Sequence, residues 1–336
     1  MDSSLITTTT APRVTQTRLL DRYVLPKVAL TVITVASLVG TWLTMTTHGA
    51  GVWLQVVPRW LHLISFAFLS GGYMWKALFP RPARKAGQVA AFAAYTSGQY
   101  RRFRRLTHFV LPVFIAGALF DVVRFSGWAV GWPIWAAIAL ILLLAGLIGR
   151  DAYAPREQGQ PFAERRLAAA ILALLLLYAL VQAAFDVILA QGGQPLPLLV
   201  RWLHLGAFGL WFGGAVWNIF ISVPAAREIV SLQVVVAASQ QLERFRVAVR
   251  ILLPALIITG AWQAYRYIGW NLSALTASSF GLLILFKLAL IGLLIVVFLT
   301  CPMWRACSPI AGMCKLDDLR EGGEGQALAS RQPIPR

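Results

Sequence analysis

Eight apolar runs of membrane-crossing length alternate with short polar connections along the chain, near residues 28–46, 59–79, 107–125, 132–149, 167–189, 198–222, 251–267 and 278–300. About 20 residues of apolar helix cover a bilayer, so each run predicts one crossing. The pattern therefore predicts an all-α integral membrane protein of eight transmembrane helices.

The runs are not independent. Arg59-Trp60-Leu61-His62 recurs as Arg201-Trp202-Leu203-His204, 142 residues later. The same offset carries Gly71-Gly72 to Gly213-Gly214, Trp75 to Trp217, Pro82 to Pro224, Arg102-Phe103-Arg104 to Arg244-Phe245-Arg246, Pro112 to Pro254, and Arg124 to Arg266. A fixed long period marks a repeat architecture. It divides the chain into a basic tail (1–27), a first four-helix repeat (28–149), a linker (150–166), a second four-helix repeat (167–300) and a second tail (301–336). Four crossings per repeat is an even number, so the halves share one orientation and form a parallel repeat about an axis along the membrane normal.

Charge sets the expected orientation. The connection between the second and third runs carries Arg81, Arg84, Lys85, Arg101, Arg102, Arg104 and Arg105 with no acidic residue, whereas 47–57, 126–131, 190–197 and 268–277 have neither Lys nor Arg. Lys and Arg accumulate on the cytoplasmic side, which places both termini inside and leads to a bacterial inner (cytoplasmic) membrane location. The polar start, Met1 to Thr17, lacks the apolar core of a cleaved signal peptide.

Composition narrows the class. Hydrophobic residues make up 58% of the chain and charged residues only 13%, against about a quarter charged in soluble domains. The net charge of +17 is spread between apolar runs rather than along one face, which excludes nucleic acid as partner, since that needs a contiguous basic surface. Cys301, Cys307 and Cys314 follow the last run with no paired or zinc-type spacing. No glycine-rich phosphate loop, Cys-x-x-Cys or Gly-x-Ser-x-Gly elbow is present, so no reaction is assigned.

Candidate chemistry centres on the duplicated histidines. On parallel repeats His62 and His204 lie at equal depth near the outer surface, with the glycine pairs about 13 Å further down the same helices. Small residues there admit a neighbouring helix or a flat cofactor. Two imidazoles facing each other across an axis suit axial ligation of haem b. Arg59 and Arg201, one turn above, would meet its propionates, and Arg124 and Arg266 would complete the ring. The same imidazoles could bind copper, together with Met45 and His48 at i and i+3 on the first helix. Lys287, close to mid-bilayer, costs about 3 kcal/mol there and demands a partner or a function; Asp121 and Asp186 are the candidate counter-charges. His108, beside the Arg102–Arg105 cluster, reads as an interface residue and not a ligand.

Arg201-Trp202-Leu203-His204 with Trp211-Phe212-Gly213-Gly214, Arg244-Phe245 ahead of a helix with Gly260, and Phe280-Gly281 leading to Phe286-Lys287-Leu288 together resemble the membrane domain of CopD-like copper-resistance proteins, and HemJ-type protoporphyrinogen oxidases share a similar His and Lys pattern. The resemblance covers most of 198–300 and, more weakly, 59–149. It implies a metal- or haem-handling bundle in which His204 and Lys287 carry over directly and His62 through the repeat. Two functions follow as expectations. One is a haem b protein that passes electrons near the outer face as a subunit of a larger membrane redox complex, with quinone as a further partner. The alternative is movement of copper across the membrane.

Overall fold

The computed structural model describes residues 17–47, 53–80, 86–126, 132–153, 165–191, 194–229, 231–269 and 272–300. Among them there is no strand. The helices are α1 (Thr17–Thr47), α2 (Trp53–Leu78), α3 (Ala86–Ser126), α4 (Trp132–Tyr153), α5 (Arg165–Gln191), α6 (Pro195–Trp217), α7 (Val223–Glu228), α8 (Leu232–Ile268), α9 (Leu272–Ala277) and α10 (Ser279–Thr300). A π-helical segment, Asn218–Ser222, joins α6 to α7. It ends two residues before Pro224, whose missing N–H cannot continue the regular ladder.

Seven helical stretches among the described residues are long and apolar enough to cross a membrane, which makes this a multi-pass membrane protein in contact with lipid. The seven leave out α2, the one helix that corresponds to the predicted 59–79 run. The reason is its position. Every residue of α2 from Ser65 to Ala77 is buried, so the helix touches other helices rather than lipid. It can therefore carry His62, Ser65, Ser70, Gly71, Gly72 and Lys76, which lower its mean hydropathy. The α6–α7 span is likewise 72% buried, against 17% for the spans on α8 and α10, which form the periphery.

Helices α2 and α6 pack backbone to backbone. A Cβ added to Gly71 would stand 2.2 Å from the Gly213 carbonyl carbon, and one added to Gly213 would stand 1.9 Å from Ala67 O. Only glycine permits that approach. Below it the Trp75 and Trp217 rings stack with centroids 5.9 Å apart at 11°, and Gln99 Nε2 donates to Gln241 Oε1 at 2.9 Å. In each of these three contacts a residue touches the one 142 positions away. The C-terminal end of α2 is closed by cations from two other helices: Arg165 Nε donates to Ala77 O at 2.7 Å and Arg244 donates to Phe79 O. Carbonyls left open at a helix C-terminus favour such partners.

Candidate functional site

His62 and Arg59 lie one turn apart on α2 and turn toward α3 and α5. Arg59 donates to Asp121, to Gln182 Oε1 (2.6 Å) and to both oxygens of Asp186 (3.2 and 3.3 Å). His62 Nδ1 meets Asp121 Oδ2 at 2.6 Å, and His62 Nε2 meets the Tyr178 hydroxyl at 2.9 Å. Gln182 Nε2 donates to that hydroxyl oxygen at 2.6 Å. The bonding sense follows. An ionised Asp121 only accepts, so Nδ1 carries the imidazole proton, and the phenol donates to a bare Nε2. Tyr178, Gln182 and Asp186 recur at i, i+4 and i+8 along one face of α5 and supply this wall.

The network extends to α6 through Asp186. Arg201 Nε and Nη2 donate to Asp186 Oδ2 at 2.9 and 2.7 Å, and Arg201 also reaches Gln263 Oε1 (3.1 Å) and Thr44 Oγ1 (3.4 Å). One carboxylate thus serves both Arg59 and Arg201. A carboxylate so shared is strongly held, and removal of one member of such a buried set leaves its partners uncompensated.

His204 sits in different surroundings. Its Nδ1 meets Thr259 Oγ1 at 2.9 Å, and its ring lies over Gly260, where an added Cβ would be 3.1 Å from His204 Cε1. Thr259 Oγ1 donates to Ala255 O at 2.6 Å, so the threonine accepts from His204 Nδ1–H and Nε2 keeps its lone pair. The Leu256 backbone carbonyl is a further hydrogen-bond partner of the ring. A histidine held by its Nδ1–H with Nε2 open has the usual preparation of a metal ligand.

These contacts correct several expectations. The histidines do not face each other across one gap: His62 points between α3 and α5, His204 toward α8, and the glycine pairs admit a helix rather than a flat cofactor. Both nitrogens of His62 are engaged, and the cavity beside it, lined by Arg59, Phe66, Gln182 and Leu205 among others, is about 20 Å³. That is room for a single water. The residues present do not fit an axially ligated haem b between His62 and His204. Arg59 and Arg201 bind Asp121 and Asp186 instead of projecting toward propionates. Arg124 donates to Met45 Sδ at 2.8 Å, and exposed Arg266 reaches Gln194 (3.3 Å) and lies over the Trp262 ring at 5.6 Å.

For copper, Met45 is 1% exposed with its sulfur turned to Arg124, while His48 and the three cysteines lie outside the described residues. Among the described residues no group of three or more His, Cys, Asp or Glu side chains forms a metal cluster. Lys287 pairs with neither Asp121 nor Asp186; its ammonium lies against α1, where a Cβ on Gly40 would be 2.9 Å from Nζ. His108 is stacked on Tyr153 at 4.3 Å with Nε2 3.3 Å from Ala152 O.

A second buried ion pair escaped the sequence reading. Lys76 Nζ donates to both oxygens of Asp151 at 2.7 Å, and the Tyr73 hydroxyl donates to Asp151 Oδ2 at 2.9 Å. Lys76 and Asp151 stand at the ends of apolar runs, beside Arg150 in the second case, where a charge ordinarily meets water. Tyr178 and Gln182 were missed as well, although polar residues recurring every four positions in an apolar run are a legible sign of a buried polar face.

With this geometry in place, comparison with known proteins adds one result. The family described as copper resistance protein D matches residues 239–315, which takes in α8 from Ser239, α9, α10 and the stretch after it. No curated protein and no solved structure matches the chain.

Proposed function

We propose that this chain is a copper-handling membrane protein that moves copper ions across the bilayer and so supports copper resistance, with His204 as the side chain that meets the metal. The observation that carries this reading is the copper-resistance family match across α8 to α10, the helices that hold Thr259, the partner of His204, and Lys287. Open Nε2 on His204 supports the assignment, since neutral imidazole suits copper. His62, saturated by Asp121 and Tyr178, serves as the structural counterpart that ties α2, α3 and α5 together.

The reading includes eight crossings, both termini on the cytoplasmic side of a bacterial inner membrane, and two parallel four-helix halves. Residues related by a two-fold axis can touch one another only on that axis. Gly71 with Gly213, Trp75 with Trp217 and Gln99 with Gln241 are all such pairs, and they support an axis running between α2 and α6 down to the inner ends of α3 and α8.

The test is copper content and copper tolerance in cells that lack the gene and carry wild-type, His204→Ala or His62→Gln chains at equal membrane abundance. Wild type shifts both readouts and His204→Ala returns them to the empty-vector level. Equal copper content and tolerance for wild type and His204→Ala would overturn the proposal.

A further inference from the structure

We infer that the second half holds an anion-binding site, built from Lys287, Arg201 and His204 and open toward the apolar phase, which takes a ligand bearing a carboxylate or phosphate. The argument is a comparison of the two histidine surroundings at the 142-residue offset. Around His62, Tyr178, Gln182 and Asp186 of α5 fill the space. Their counterparts on α1 are Ala36, Gly40 and Thr44. A phenol, a carboxamide and a carboxylate are thus replaced by a methyl, a hydrogen and a hydroxyl. The space is entered instead by Lys287, whose Nζ rests at the missing side chain of Gly40.

Charge changes in the same sense as volume. Asp121 becomes Gln263 and Asp186 becomes Thr44, while Ala145 becomes Lys287. Both carboxylates are lost and one cation is gained. Among the described residues no acidic side chain pairs with Lys287, and the carboxylate nearest Arg201, Asp186, is shared with Arg59. Counting the whole network, Arg59, Arg201 and Lys287 face Asp121 and Asp186, an excess of one positive charge, with half-buried Arg124 at the outer edge adding to the same side. Excess charge in apolar surroundings is costly unless it is met. A single oxyanion meets it, with Lys287 and Arg201 as charge-assisted donors.

Packing leaves an approach. In the first half α3 and α4 pack along each other, whereas α10 packs against α1 and α9. Helix α10 comes near α8 at the outer end, where Tyr267 and Phe280 lie 5.7 Å apart. Beside Lys287, Phe286 and Leu288 are exposed to the apolar phase. An amphiphile could enter with its anionic head on Lys287 and its tail along these residues. The inference does not rest on the copper reading. It bears on it, because two cations beside His204 repel a bare metal ion and favour one that arrives with an anionic ligand.

The test uses the purified full chain in neutral detergent, with three probes titrated separately: oleate, oleyl alcohol with the same tail and no charge, and inorganic phosphate. Oleate is expected to bind saturably at one site. Lys287→Met weakens it about tenfold or more, the worth of one charge-assisted hydrogen bond, and Lys287→Arg retains it. Gly40→Gln, which restores the first-half side chain and leaves every charge in place, also weakens it, so the test survives if Lys287→Met fails to fold. Lys287-dependent binding of phosphate without oleate supports the same site with a free anion as its ligand. Equal affinity for oleyl alcohol and oleate, binding unchanged in both Lys287→Met and Gly40→Gln, or no saturable binding of either anion would each overturn the inference.

Discussion

Lys287 is not the most deeply buried cation in this protein. Lys76, 2% exposed, holds both oxygens of Asp151, itself 1% exposed, at 2.7 Å. The Tyr73 and Tyr100 rings lie 5.5 and 5.0 Å from the ammonium. Lys76→Met keeps the length of the stem but takes the ammonium away from a buried carboxylate that the Tyr73 hydroxyl still meets. Breaking a buried pair from one side costs about 3–5 kcal/mol, or about two to three and a half powers of ten in the folding equilibrium. Asp151→Leu should cost about the same, through an uncompensated ammonium. Removing both charges in Lys76→Met/Asp151→Leu removes the uncompensated charge as well, and what remains is a Tyr73 hydroxyl without its acceptor, about 1–3 kcal/mol. The double variant is therefore expected to be more stable than either single one, with a coupling energy of several kcal/mol. Equilibrium unfolding in mixed micelles, followed by tryptophan fluorescence, measures all three. Additive single costs, or single costs below about 1 kcal/mol, would refute the claim that the pair is buried and mutually dependent.

Two further outcomes are expected. Gly213→Ala drives a Cβ into Ala67 O and should destabilise the fold by about 1–3 kcal/mol while red-shifting the fluorescence of the stacked Trp75 and Trp217; Gly149→Ala, with nothing within 4 Å of the added carbon, should be neutral or slightly stabilising, since alanine is the better helix former. Tyr178→Phe leaves His62 Nε2 and Gln182 Nε2 without their shared hydroxyl, for about 1–3 kcal/mol in the same unfolding assay, and a loss below about 0.5 kcal/mol would show that the hydroxyl is not the partner of His62.

Much of this architecture is legible in one dimension. Apolar run length reports crossing helices because a bilayer demands about 20 apolar residues per span. The stretches Arg59–His62 and Arg201–His204 and the two glycine pairs stand out as matching segments 142 residues apart, and Gly71 meets Gly213 where α2 packs on α6. Even α2, with its several polar residues, is visible as a run of the right length. Its polar residues are tolerated because other helices, and not lipid, cover it.

Partnership is decided elsewhere. Whether an imidazole is saturated or open depends on what a different helix, far along the chain, presents opposite it: Tyr178 and Asp121 against His62, Thr259 and Gly260 against His204. Identical tetrapeptides therefore become one structural knot and one open site. The same holds for Lys76, whose counter-charge Asp151 is 75 residues away, and for Asp186, which joins Arg59 to Arg201. Hydrophobic periodicity records which face of a helix avoids water, because burial acts on every residue of that face. A hydrogen bond or ion pair acts on two atoms within about 3 Å, and only the packing of α2 against α3, α5 and α6 brings those atoms together.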